Sequence, residues 1–158
     1  GHLFASPRAL TEQRKTEQNE ASEMHETVTQ EGKHRLESKL SYCNRRKVGA
    51  LIVKDRMIIS DGYNGTPSGF ENFCEDDNGY TKWYVLHAEA NAILKVANST
   101  QSCTGSTLYL TMSPCSNCSK LIHQAGIARV VYAEEYKDLS GIEFLNKAGV
   151  KTELKPLS

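Results

Sequence analysis

The chain reads as an α/β protein, a three-layer α/β/α sandwich on a mixed five-stranded sheet, and two features of the sequence point there. Five short β-rich apolar runs occur, at 48–53, 57–63, 106–112, 128–133 and 150–154, and stretches of helical periodicity separate the later ones. Strands that alternate with helices in this way pair in parallel, and helices on both faces of the sheet are expected. The first two runs are separated by Lys54-Asp55-Arg56 alone. That link is too short for a crossover, so the two runs form an antiparallel hairpin and make the sheet mixed.

Each element has its own signal. Residues 6 to about 39 are rich in Glu, Gln, Thr, Lys and Ser with few large apolar side chains. Such a composition buries too little surface to order by itself. Two readings of it stand: a helix from about 22 that docks through Met24, Val28, Leu36 and Leu40, or a solvated tail, above all before Ser22. Residues 1–40 are therefore a polar N-terminal extension, and 41–158 are the folded domain. The stretch Gly62-Tyr63-Asn64-Gly65-Thr66-Pro67-Ser68-Gly69 is crowded with turn formers and leaves the second strand as a loop. An acidic loop follows at 75–79, and a helix runs from near His87 to Ala97 with apolar residues on most sides. After the strand at 106–112, Ser113-Pro114 predicts a helix start, with Ser as the cap and Pro at the first position. That helix closes at Ala125-Gly126, and a last one, at 139–148, closes at Gly149.

Length and charge limit the function classes. A chain of 158 residues suits one domain that buries about two-thirds of its unfolded surface. Nineteen basic and nineteen acidic side chains give a formal net charge of zero, so no global field gathers nucleic acid, and a small substrate is expected. Five cysteines, an odd number, with two in a C-x-x-C pair and no secretory pattern, point to a reducing compartment and a cytoplasmic location. The apolar runs are strand-length, short of the roughly twenty residues of a membrane span.

The chemistry lies in His87-Ala88-Glu89 and Pro114-Cys115-Ser116-Asn117-Cys118. His87, Cys115 and Cys118 offer three ligands, the number a catalytic zinc uses when its fourth position is left to water. A structural zinc would need a fourth protein ligand, and no second C-x-x-C or H-x-x-x-H supplies one. Cys115 and Cys118, three apart on a helix, share one face. Glu89, two residues past the His, is placed to carry protons as general acid and base. H-x-E with P-C-x-x-C is the pattern of zinc-dependent nucleobase deamination.

Beyond those motifs, Arg45-Arg46-Lys47-Val48-Gly49-Ala50, Gly62-Tyr63-Asn64-Gly65-Thr66-Pro67 and His87-Ala88-Glu89-Ala90-Asn91-Ala92-Ile93 resemble the deoxycytidylate (dCMP) deaminase family, of cytidine deaminase-like fold, over about 41–150. The resemblance implies a zinc hydrolase that converts dCMP to dUMP and ammonia in pyrimidine deoxynucleotide metabolism. One zinc per chain is held by His87, Cys115 and Cys118, and Glu89 is the proton shuttle. It implies substrate contacts at Asn64, Ala88 and Tyr136. Candidates for holding a phosphate or an effector are Arg45, Arg46, Lys47 and Gly65. It further implies a homo-oligomer, in many members a hexamer, with dCTP and dTTP as effectors. Some members hold a second zinc through cysteines matching Cys43 and Cys74 together with a His and an acidic residue. Residues 82–86 supply neither, so both cysteines are expected as ordinary thiols. Two alternatives remain at this stage: another nucleoside, nucleotide or tRNA base deaminase on the same fold, and a non-catalytic zinc-binding interaction protein.

Overall fold

The structure is a computed structural model that describes residues 48–156. The expected N-terminal helix from about 22, with Met24, Val28, Leu36 and Leu40, lies outside the described residues, as do Cys43 and the basic run Arg45, Arg46 and Lys47. The described chain runs β1 (Gly49–Lys54), β2 (Met57–Tyr63), α1 (Ala88–Ala97), β3 (Thr107–Met112), α2 (Ser116–Gln124), β4 (Arg129–Glu134), α3 (Ser140–Lys147) and β5 (Lys151–Leu154). The strands form one five-stranded sheet in the order β2-β1-β3-β4-β5. β1 is antiparallel to both its neighbours, whereas β3, β4 and β5 are parallel, so the sheet is mixed as the sequence predicts.

The hairpin is tighter than the apolar runs indicate. Lys54 pairs with Met57, which leaves a two-residue loop of Asp55 and Arg56 at φ 51° and 65°. Two consecutive left-handed residues make the primed turn whose twist matches that of paired strands. The register shifts between Ile52, opposite Ser60, and Val53, opposite Ile58. Ile59 is thus an extra residue, a bulge that bends β2 over α1.

Helix placement follows from chain order. β2 to β3, β3 to β4 and β4 to β5 are all parallel steps in one direction across the sheet, each carrying a helix. Right-handed crossovers that advance in one direction put their helices on the same face. Accordingly Ala88, Ala92 and Val96 of α1, Ile122 of α2, and Ile142 and Leu145 of α3 share one apolar core with Ala50, Ile52, Leu108, Leu110, Val130 and Tyr132 of the sheet. The other face carries a smaller cluster of Leu51 and Val53 with Ile58 and Tyr109. Among the described residues, no helix covers that face.

α1 is seated on β2 by close contact. A Cβ on Gly62 would lie 2.3 Å from the Ala88 carbonyl oxygen and 2.7 Å from the Ala92 nitrogen, so the helix backbone rests directly on this glycine. The Ser60 hydroxyl donates to Ala92 O at 2.8 Å, and the Asn91 amide donates to Tyr63 O at 2.6 Å. A Lys95–Asp61 ion pair at 2.8 Å lies on the surface and adds little. Both atoms that a Cβ would strike most closely belong to the helix backbone, so nothing flexible can give way. Gly62→Ala is expected to cost about 1–3 kcal/mol through overpacking. The measurement is a urea melt, with the midpoint falling and the slope unchanged.

Candidate active site

Two helix starts converge at the carboxyl ends of β2 and β3. His87 is the N-cap of α1, extended at φ −71° and ψ 156°, and Cys115 is the N-cap of α2, at φ −71° and ψ 168°. This corrects the expected start of α2: Ser113 and Pro114 precede the helix, and the capping atom is the Cys115 sulfur, which accepts from the Cys118 N–H at 3.4 Å. The Ser119 hydroxyl donates to Cys115 O at 2.9 Å. α3 lies against this turn because residue 141 has no side chain: a Cβ on Gly141 would be 2.3 Å from Pro114 O and 2.6 Å from Ser119 Oγ.

The three metal-ligating candidates come together, with their donor atoms all within 4.8 Å of one another. His87 Nδ1 lies 3.6 Å from Cys115 Sγ and 3.3 Å from Cys118 Sγ. Tetrahedral zinc, with bonds of about 2.3 Å to sulfur and about 2.0 Å to nitrogen, separates such donors by about 3.5 Å. The residues therefore fit one zinc ion. Hydrogen bonds from Cys118 and the His87 ring lower the Cys115 thiol to about 3, so Cys115 carries the thiolate. The same bond to Cys115, together with burial, pushes the Cys118 thiol up. His87 is raised, first by its hydrogen bond to Cys115. The trio thus holds negative charge on one sulfur, and a bound cation would displace the proton from the other.

Glu89 sits on the first turn of α1 with only 4% of its surface exposed. Burial raises its carboxyl above the usual carboxylate range, against the lowering effect of its backbone hydrogen bond and of His87. It opens onto a cavity of about 560 Å³ whose walls include His87, Ala88, Cys115, Asn64 and Tyr136. Residues selected from distant parts of the sequence thus line one space. The Asn64 carboxamide oxygen accepts from the Val48 N–H at 3.0 Å, which orients that side chain at the end of β2.

Other residues fall differently. Gly65 is held in an antiparallel bridge with Leu86, its N–H donating to Leu86 O at 3.0 Å and its carbonyl accepting at 2.8 Å. Its amide is already engaged. Cys74, expected as an ordinary thiol, is buried and disulfide-bonded, a pairing that depends on spatial neighbours and has no sequence signal. Ser113, expected only as a helix cap, Glu75 of the acidic loop and Lys137 also line the cavity, and neither Lys137 nor Gly141 stood out in the sequence. A glycine in a helical stretch and a lysine after a strand carry no motif. Among the described residues, no helix is long and apolar enough to cross a membrane.

Comparison with known proteins agrees with this geometry. Residues 22–134 match the family model for the cytidine and deoxycytidylate deaminase zinc-binding region. A deoxycytidylate deaminase of Mycobacterium phage D29 is 40% identical over 109 residues, covering 60% of this chain and 84% of that protein. One of Enterobacteria phage T4 is 34% identical over 159 aligned positions, covering 73% of this chain and 82% of its own. The crystal structure of dCMP deaminase from the cyanophage S-TIM5, in complex with dCMP and dUMP, superimposes with a TM-score of 0.79 at 45% identity, over 84% of this chain and 97% of that one.

Two outcomes follow from the ligand geometry. Cys118→Ala is expected to lose zinc and to destabilise the domain, because ligation is coupled to folding; metal analysis of the purified variant and its thermal midpoint measure both. With Cys74 in a disulfide, the intact protein is expected to carry one zinc per chain, read by elemental analysis against protein concentration.

Proposed function

The chain belongs to the cytidine and deoxycytidylate deaminase family, and from that premise we propose that it is a zinc-dependent hydrolase that converts dCMP and water to dUMP and ammonia. The observation that carries this reading is the buried Glu89 beside a three-ligand metal set, on the wall of a cavity of about 560 Å³. That volume lies in the range of sites for small ligands.

When bound, zinc acts as a Lewis acid that makes water nucleophilic near neutral pH. Everything else falls to the chain. His87, Cys115 and Cys118 hold the ion. Glu89, its proton affinity raised by burial, takes a proton from the attacking water and passes it to ring N3 as oxygen bonds to C4. It then carries the second proton to the exocyclic amine, and the C4–N bond breaks to release ammonia. Asn64 at the end of β2, Ala88 at the first turn of α1 and Tyr136 after β4 border the space where base and sugar would lie.

The deciding experiment measures ammonia release from dCMP, CMP, deoxycytidine, guanine and a tRNA anticodon stem. Preference for dCMP is the expected result, and preference for an unphosphorylated substrate overturns the assignment. A zinc-binding interaction protein would release ammonia from none of them. Glu89→Gln is expected to keep zinc and fold while kcat falls about a hundred- to ten-thousand-fold. For assembly, the reading is a homo-oligomer, with dCTP and dTTP as effectors. The exposed Phe70, Phe73, Tyr80 and Trp83 between β2 and α1 are apolar surface that a second copy could cover.

A further inference from the structure

We propose that Lys137 selects the phosphorylated substrate by pairing with its phosphate, and that Ser113 is the positioning residue that sets it at the cavity wall. The inference deepens the deaminase reading and rests on it.

It starts from a charge census. Among the described residues, the cavity lining holds two carboxylates, Glu75 and Glu89, the metal-ligating His87 and Cys115, and a single ammonium, that of Lys137. A phosphate that leaves water for this cavity needs a counter-charge, and a charge-assisted hydrogen bond from an ammonium supplies it. Gly65, a candidate from the sequence, spends its N–H on Leu86 O at 3.0 Å.

The placement of Lys137 is built into the sheet. β3 and β4 are parallel neighbours, so the segments that leave their carboxyl ends lie side by side, about 4.8 Å apart. One carries Cys115 and the other carries Tyr136 and Lys137. Two hydrogen bonds join them through one residue: the Ser113 N–H donates to Glu134 O at 2.8 Å, and the Tyr136 N–H donates to the Ser113 hydroxyl oxygen at 2.7 Å. Ser113 is only 5% exposed, so water competes poorly for either bond. The segment after β4 is thereby held against the cavity. The four-carbon stem of lysine lets its charge reach the end of the nucleotide remote from the base.

The test is steady-state kinetics of the zinc-loaded wild type and of Lys137→Ala, Lys137→Arg, Lys137→Glu and Ser113→Ala, with dCMP and with deoxycytidine, at low and high salt. Lys137→Ala is expected to raise KM for dCMP about tenfold or more, more at low salt, with kcat for dCMP and all deoxycytidine constants within about twofold. Arg restores the wild-type value and Glu worsens the loss. Ser113→Ala raises the same KM less, and loses its effect when Lys137 is already Ala, the coupling expected of residues that act through one another. If Ser113→Ala does not fold, the Lys137 series decides alone. An unchanged KM for dCMP in Lys137→Ala, on a wild type that prefers dCMP, overturns this inference and leaves the deaminase reading intact. Equal losses on both substrates also overturn it, because a merely structural role predicts them. A wild type that handles deoxycytidine as well as dCMP overturns both.

Discussion

Three donor atoms from two separate helix starts must meet within 4.8 Å, and the rest of the architecture serves that convergence. His87 and Cys115 are each the residue where extended backbone turns helical. At such a position the chain changes direction, and the unpaired N–H groups of the first turn favour negative charge. A thiolate at Cys115 is therefore at home before any metal arrives, and the Cys118 N–H that bonds it at 3.4 Å is one of the donors the helix would otherwise leave unpaired. Cap and candidate ligand are the same atom.

That meeting depends on two places where backbone lies on backbone. Gly62 lets α1 settle onto β2, which sets the depth of His87 and Glu89. Gly141 lets α3 settle onto the Pro114-Cys115 turn, which sets the angle of the thiols. Neither glycine touches the cavity, yet each removes the one atom that would push a ligand-bearing helix away. The energetic asymmetry is that of any close-packed interior: a methyl group inserted against backbone cannot be absorbed by rotamer changes. Ser60, Asn91 and Ser119 then fix the helices with hydrogen bonds of 2.6 to 2.9 Å.

Electrostatics divides the work within the site. Burial raises Glu89, while hydrogen bonds lower Cys115, so the proposed proton carrier and a proposed metal ligand, with opposite needs, sit on neighbouring helix starts. Two carboxyl- or thiol-type acids whose environments push them apart in this way are the mark of acid–base chemistry. A wholly buried ionised pair would cost folding energy; here the partial exposure of His87 and Cys115 at the cavity relieves that cost.

Much was legible in the sequence. H-x-E and P-C-x-x-C named the candidate metal set, whose donors the fold brings within 4.8 Å, and the candidate proton carrier, because ligand chemistry requires particular side chains at fixed local spacing, and local spacing survives folding. The strands and helices after residue 87, and the mixed sheet, followed from periodicity for the same reason. What tertiary structure alone decided is whatever depends on direction across the sheet or on neighbours remote in sequence. Which face a helix takes is one such matter: the steps from β2 to β5 all advance one way, and right-handed crossovers then put α1, α2 and α3, the helices among the described residues, on a single face. The helix that Ser113-Pro114 predicts begins at Ser116, because the Cys115 sulfur takes the cap and Ser113 is drawn to Glu134 and Tyr136 instead. The same reason governs Gly62, Gly141 and the bridged Gly65: each owes its role to a partner twenty or more residues away, a relation that composition and periodicity do not encode.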